Sequence, residues 1–550
     1  MTHEVTNQPP ALVGYDVYAE DAALVEAVHR EGAGWADDEL GGLGRLAGSE
    51  QAQEWGAEAN RQAPVLHTHD RHGRRRDEVT YHPAYHELMT VAVEHGLHAA
   101  PWADGRPGAH VARAAGLFVW SSVDMGHTCP ISMTYSAVPS LRVQPELAAE
   151  WEPRLAARAY DPRFRPAPEK AGALVGMAMT EKQGGSDVRS NTTRAEPTGG
   201  GGPGGEYRLT GHKWFCSAPM CDAFLVLAQA PGGLSCFLLP RWLPDGTANA
   251  FHLQRLKDKL GNRSNASGEV EFQGALARLV GEEARGVPTI IEMVGHTRLD
   301  CVVGSASAMR LAVAQATWHT AHRRAFGREL AEQPLMRAVL ADLAVESEAA
   351  TAVALRLARA YDAGTGDARE SAFKRLATAV AKYWVCKRAT THAAEALECL
   401  GGNGYVEDSG MPRLLRDSPL NGIWEGSGNV ICLDVLRAMA RSPGSVEAFL
   451  AELDEAAGAD ARFDAFVTRL RVDVRSGHGE AAAPEAGARL LVERMALALQ
   501  GALLVRHGHP AVADAFCASR LAGDWGSAFG TLSAGVDAAA IVERARPKVA

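Results

Sequence analysis

The sequence predicts an α+β protein: a helical segment, a compact β-domain, a helical bundle and a further helical segment, in that order along 550 residues. Three observations lead to this order. The chain exceeds what one hydrophobic core holds, since single cores stop growing at roughly 250–300 residues. Apolar residues recur near a 3.6-residue period over about 21–158 and again from Thr297 onward. Between these stretches, over about 172–279, the period falls to two, as in strands.

In the first domain, 1–171, Leu24 and Val28, then Leu88, Val91 and Ala92, mark the apolar faces of helices. The β-domain, 172–284, shows Tyr207 and Leu209 alternating with Arg208 and Thr210, and Val270 and Phe272 alternating with Glu269 and Glu271. Its glycine-rich stretch, Gly199 to Gly205, lacks the Lys-Ser/Thr pair of a phosphate-binding P-loop and precedes no helical pattern, so it reads as a hairpin connection. Three long helical segments, 297–325, 334–362 and 371–400, build a bundle over 285–441 that a shorter helix, Val430 to Arg441, completes. The last domain, 442–550, carries the stripe Phe463, Phe466, Val467, Leu470 and Val474, a core-packing pattern.

Composition narrows the function classes. With 46% hydrophobic and 22% charged residues the chain is an ordinary globular protein, and its formal charge of −10 argues against a surface that is basic overall. No basic cluster followed by an apolar run marks a secretory signal, and no apolar stretch approaches the roughly 20 residues that span a bilayer. Nine scattered cysteines without a CxxC pair read as reduced thiols, and a cytoplasmic location is expected. His319 and His322 lack the HExxH arrangement, so no metal is expected.

Four separated segments carry the chemistry. Met177-Ala-Met-Thr-Glu-Lys-Gln-Gly-Gly-Ser-Asp187 joins hydroxyls to glycines that permit close backbone approach. Lys213-Trp-Phe-Cys-Ser217 puts aromatic rings beside a hydroxyl. Arg323-Arg-Ala-Phe-Gly327 with Gln333, and Glu398-Cys-Leu-Gly-Gly-Asn-Gly-Tyr405, offer bidentate donors and open backbone N–H groups to anionic oxygens. Asn421-Gly-Ile-Trp-Glu-Gly-Ser-Gly-Asn429 sets Glu425 between an apolar flank and a glycine, a setting for a carboxylate base. Together these segments resemble the acyl-CoA dehydrogenase family, with its TEPxAGSD, KxWITN, RxxFG…Q, GGxGY and IYEGT motifs. Within it they resemble the AidB-type flavoproteins of the bacterial response to DNA alkylation, over nearly the whole chain.

The resemblance implies a helical N-terminal domain, a middle β-barrel or sandwich, a C-terminal four-helix bundle and an extra helical domain. It implies FAD as cofactor, held by Met177, Met179, Thr180, Gly185, Ser186, Phe215, Cys216, Ser217, Arg323, Phe326, Gln333, Gly401, Gly402, Ser427 and Asn429. Glu425 takes the position of the base that removes the α-proton of an acyl-CoA, and Ser186, Arg298 and Trp424 take substrate positions. Arg298 lies near the expected start of a helix, where a cation is unfavourable to the dipole, which leaves a ligand or buried carboxylate partner and a simple surface charge as equal readings. Lys182 stands where the family usually has proline, a change that AidB-type proteins share. Trp424 replaces the tyrosine common in the dehydrogenases, which makes a weakened activity part of the expectation.

In the family the pyrophosphate donors come from a neighbouring subunit, so a homotetramer is implied, together with an unidentified electron acceptor. Protection of DNA against alkylation is the second implied role. From Arg441 to Ala550 there are 12 Lys+Arg against 14 Asp+Glu, so duplex DNA would have to meet local arginines: Arg437, Arg441, Arg462 and Arg469 lead the candidates, with Arg475, Arg506 and Arg520 beside them. The alternatives are a dedicated short- or branched-chain acyl-CoA dehydrogenase without DNA binding, and an oxidase-like use of oxygen.

Overall fold

The computed structural model describes residues 2–364, 366–476 and 483–549. The chain divides into two compact units, one of Met1–Gln53, Arg106–Val123 and Arg298–Ala550, the other of Glu54–Gly105 and Asp124–Thr297. The first helical stretch of the sequence therefore contributes to both. Residues after Ser442 belong to the same unit as the bundle.

The second unit is built on a seven-stranded sheet. Counting from the chain start, β1 (Val65–His69) and β2 (Arg75–Thr80) form a separate hairpin, inside a stretch that the sequence reads as mostly helical. Then come β3 (Val175–Ala178), β4 (Arg194–Pro197), β5 (Glu206–Ser217), β6 (Ala223–Ala230), β7 (Gly233–Pro240), β8 (Phe251–Leu256) and β9 (Ser267–Leu279). They pair in the order β3-β6-β4-β5-β9-β7, with β8 on β9. Antiparallel pairing of β6 with β7, from Ala223↔Pro240 to Ala230↔Gly233, closes five of the strands into a ring. Tyr207, Phe224, Phe237, Phe251 and Phe272 are almost fully buried, as the period-two pattern requires. The glycine-rich stretch lies between the antiparallel strands β4 and β5, the connection the sequence predicts.

The register of β5 against β9 shifts between Lys213 and Cys216. Such a bulge inserts unpaired residues, bends the strand and re-aims side chains. Here it falls on Trp214 and Phe215, and Phe215 emerges 50% exposed next to the fully buried Cys216.

The first unit is helical. Its long helices include Pro334–Asp362, opened by proline at its first position, and Ala368–Cys399, capped by Asp367, whose side chain accepts from the N–H groups of Arg369 and Glu370. The third long helix, Gly286–His322, begins in the other unit and starts eleven residues before the sequence expectation. Inside this unit Arg113 pairs with Asp300 in a buried bidentate contact. The tail packs its predicted stripe inward: Phe463, Phe466, Val467, Leu470 and Val474 are all buried. It is also tied by charge, because fully buried Asp342 accepts from Arg520, from Trp525 Nε1 at 3.1 Å and from Gly530 N at 2.9 Å. All nine cysteines are buried thiols. Among the described residues no helix is long and apolar enough to cross a membrane, and no cluster of His, Cys, Asp and Glu is arranged to hold a metal.

Candidate active site

In the first unit the geometry concentrates on Glu425. This residue has φ +58°, the left-handed region that few non-glycine residues enter, at a cost of order 1–3 kcal/mol. Three consecutive carbonyls hold it there. Lys382 Nζ donates to Trp424 O at 2.8 Å and to Gly426 O at 2.5 Å, and Arg298 Nε donates to Glu425 O at 3.0 Å. The next side chain back is fixed too: Trp424 Nε1 donates to Asn421 Oδ1 at 2.9 Å, and Asn421 Nδ2 donates to Ser305 Oγ at 3.1 Å. The sequence leaves Arg298 open between a ligand or buried carboxylate partner and a simple surface charge. It is buried, pairs with Asp434 at 2.7 Å and shares that carboxylate with Arg375 at 3.0 Å. Burial opposes the Asp434 charge, but the two arginines outweigh it and hold the carboxyl below its ordinary range. Burial pushes the Cys301 thiol well up; the Lys382 charge works against that rise and the Glu425 charge adds to it.

The same unit carries the expected pyrophosphate donors. Arg323 leads into, and Phe326 lies within, a tight hairpin in which Arg324–Ala325 pairs with Arg328–Glu329, and Gln333, just before the helix Pro334–Asp362, donates from Nε2 to Ala325 O at 3.2 Å. Phe326, at φ +52°, stands 98% exposed at its tip. Gly401 has φ +59°, and a Cβ on Gly401 or Gly402 would meet nothing within 4 Å, so a ligand has room against this backbone. Gly404 is different: a Cβ there would lie 2.2 Å from Leu397 O, so it serves packing.

Sequence reasoning missed the N-terminal arm. Arg323 donates to Asn7 O, and the Asn7 amide accepts from Arg324 N at 2.7 Å while donating to Arg324 O at 2.9 Å. Asn403 Nδ2 donates to Gln8 Oε1 at 3.0 Å and Trp318 Nε1 to Pro10 O at 2.8 Å. The arm thus joins the Arg323 hairpin to the glycine turn. Ser427 precedes the helix Gly428–Arg441 without a capping bond, and Asn429 Oδ1 accepts from Arg489 Nε at 2.8 Å.

In the second unit the two expected flavin segments are bonded to each other. Trp214 N donates to Thr180 O at 2.8 Å. Beneath them Glu181 and Lys213, both side chains fully buried, form an ion pair at 2.8 Å. Glu181 also accepts from Thr192 N at 2.7 Å, Thr192 Oγ1 at 3.0 Å and Thr193 N at 3.1 Å. Lys213 also donates to Leu227 O at 2.7 Å. Burial lowers Lys213 to about 8 against the pull of Glu181. Burial works against the Glu181 charge, yet the Lys213 ammonium and the threonine donors keep its carboxyl well below the usual range.

Met177 is buried in β3, whereas Met179 and Thr180 are half-buried. Gly185 is required by Thr180, whose Oγ1 would lie 2.4 Å from an added Cβ. Ser186 is exposed. Ser217 Oγ lies 3.3 Å from Ser267 Oγ. Cys216 has its side chain in the core, which leaves its backbone as the part able to meet a ligand. Lys257 stacks on Trp214, 3.0 Å from the ring centroid, and reaches Phe215 at 4.7 Å.

The arginines proposed for DNA separate by geometry. Arg437 and Arg441 are exposed, four residues apart on Gly428–Arg441. Arg462 is neutralised by Asp460 at 2.6 Å and Asp514 at 2.8 Å. Arg469 lies over Phe466 and donates to Leu521 O at 3.5 Å.

Comparison with known proteins identifies the family. Residues 7–162 match the adaptive response protein AidB N-terminal domain, 176–275 the acyl-CoA dehydrogenase middle domain and 284–440 the acyl-CoA dehydrogenase C-terminal domain. AidB of Escherichia coli (strain K12) is 47% identical over 94% of both chains. Acyl-CoA dehydrogenase family member 11 of Caenorhabditis elegans is 32% identical over 74% of this chain and 67% of its own. The crystal structure of C. elegans ACDH-11 in complex with C11-CoA superposes with a TM-score of 0.86 at 28% identity, covering 95% of this chain and 94% of that one. The chain belongs to the acyl-CoA dehydrogenase family, in its AidB branch.

Proposed function

We propose that the chain is an FAD-dependent acyl-CoA dehydrogenase of the AidB type in which Glu425 removes the α-proton of an acyl thioester. The observation that carries this reading is the clamped, left-handed Glu425: a non-glycine residue held in a costly conformation by two buried cations is a feature that active sites retain. The donor set fits FAD. Arg323 and the open backbone at Gly401 and Gly402 suit a pyrophosphate, while half-exposed Phe215 and the hydroxyls of Thr180 and Ser217 suit a flat ring with polar edges. When bound, FAD supplies a hydride acceptor for the β-hydrogen. The chain supplies the base: the Glu425 carboxylate takes the α-proton, and the electron pair left behind forms the double bond of a 2-enoyl thioester as the β-hydride departs. Trp424, fixed by Asn421, takes a substrate position beside the base, and the bulk of its indole slows the reaction.

Anaerobic addition of acyl-CoAs, from isovaleryl-CoA to an 11-carbon acyl-CoA, is expected to bleach the flavin absorbance of the purified protein. Glu425→Gln should keep the flavin and lose the bleaching. Absence of bleaching across the panel in the unaltered protein overturns the dehydrogenase reading. The same experiment in air, with peroxide measured, separates transfer to an electron carrier from direct reoxidation by oxygen.

A second role, duplex DNA binding in protection against alkylation, draws on the match to an adaptive response domain and on the exposed pair Arg437 and Arg441. It requires binding that weakens as salt rises, because released counterions drive phosphate contacts. A homotetramer would let each chain lend its Arg323 and Gly401 donors to a neighbour, which the mass of the purified protein in solution tests.

A further inference from the structure

The clamp on Glu425 contains a residue that no motif predicts. Lys382, in the middle of Ala368–Cys399, is 1% exposed, and its hydrogen bonds go to the carbonyls of Trp424 and Gly426, on either side of Glu425. Burying a lysine is an expensive way to satisfy two carbonyls, a task that a neutral amide donor performs without an ammonium. The geometry supplies a reason. Trp424 O belongs to the peptide plane before Glu425, and Glu425 O, held by Arg298, belongs to the plane after it. Tethering both planes fixes φ and ψ of the intervening residue, and the Gly426 carbonyl locks the following plane as well. Arg298 alone would leave the φ side free. An ammonium bonds both outer carbonyls from one point and more strongly than a neutral donor would.

We infer that Lys382 is a positioning residue for the base: it holds Glu425 in the left-handed conformation and so fixes the direction in which the carboxylate leaves the loop. The inference rests on the reading of Glu425 as the base. It concerns aim and not binding, so removal of Lys382 slows proton abstraction while flavin and thioester still bind.

The test uses the FAD-loaded full chain, with K382M, K382R and E425Q beside the unaltered protein. Three quantities are measured: flavin content, the Kd of a CoA thioether that lacks the carbonyl and cannot be deprotonated, and the single-turnover bleaching rate with saturating acyl-CoA. K382M is expected to bleach about 100-fold more slowly, the scale of a misplacement near 1 Å. Flavin content and thioether Kd should stay within about twofold, and K382R, which keeps charged donors in place, should regain about tenfold of the rate. Bleaching by K382M within about threefold of the unaltered rate overturns the proposal. So does a loss that merely follows lost flavin or weaker thioether binding, the signature of a loop support. E425Q bleaching at the unaltered rate overturns the base reading itself, and is distinguishable because it does not involve Lys382.

Discussion

Replacement of Lys213 by methionine tests whether the ion pair under the flavin segments is a keystone of the β-domain. The change keeps the length of the side chain and deletes its charge, leaving the Glu181 carboxylate buried with four donors, Gln183 Nε2, Thr192 N, Thr192 Oγ1 and Thr193 N, and no countercharge. It also leaves the Leu227 carbonyl without its lysine. Breaking a buried pair from one side costs about 3–5 kcal/mol, and the remaining donors place this case in the lower part of that range. The double variant E181Q/K213M has no buried charge, and the glutamine oxygen can still accept from Thr192 N, while the Thr193 N–H, which bonds the other oxygen of Glu181, loses its acceptor. Its cost should fall to about 2 kcal/mol, that of two unmade bonds, at the Leu227 carbonyl and the Thr193 N–H. Urea titration followed by far-UV circular dichroism and tryptophan fluorescence measures both variants, with coincident transitions required before a free energy is assigned. A double variant as unstable as K213M, or a K213M variant within about 1 kcal/mol of the unaltered protein, refutes the reasoning.

Other outcomes follow from particular residues. His392 is fully buried with Nε2 3.0 Å from Leu343 O, and burial lowers it from 6.5 to about 4. Below pH 6.5 the unfolded chain takes up a proton that the folded one refuses, so stability falls as pH drops toward 4, by about 2 kcal/mol at pH 5 from this group; urea midpoints should show a shallower fall in H392Q. Asn7→Ala removes two hydrogen bonds to Arg324 and should raise the Kd for FAD about tenfold in a fluorescence titration, which an unchanged Kd contradicts. Arg462→Ala should leave any duplex DNA affinity unchanged, because Asp460 and Asp514 already occupy the guanidinium, while R437A/R441A should weaken it and lower its salt dependence.

Much of this architecture is legible along the chain. The periods that predict helices over 334–362 and 371–400 correspond to Pro334–Asp362 and Ala368–Cys399, because long amphipathic helices repeat their pattern many times. The β1–β2 hairpin was not, since its strands are short and rich in His and Arg, with little apolar alternation. Closure of the ring through β6 and β7 is a matter of pairing partners, on which local periodicity is silent. At the candidate site the loop around Glu425 is readable as a motif, but its clamp is not. Lys382 lies 42 and 44 residues from the carbonyls it binds, and Arg298 lies 127 from Glu425. Asn7 and Arg324 are separated by 317 residues. Such contacts leave no trace in spacing. The bulge at Lys213 to Cys216, which exposes Phe215, likewise depends on the partner strand.

The burial of all nine cysteines has a practical corollary. Thiol-directed reagents will find little native background on the folded protein, so a sulfhydryl introduced at the surface becomes an addressable handle without first stripping the chain of its own. Glu196, exposed on β4, and Glu447, exposed on the helix Pro443–Asp454, lie in different units. A pair of spin labels at those two positions would convert the arrangement of the units in solution, with and without acyl-CoA, into a measured distance distribution.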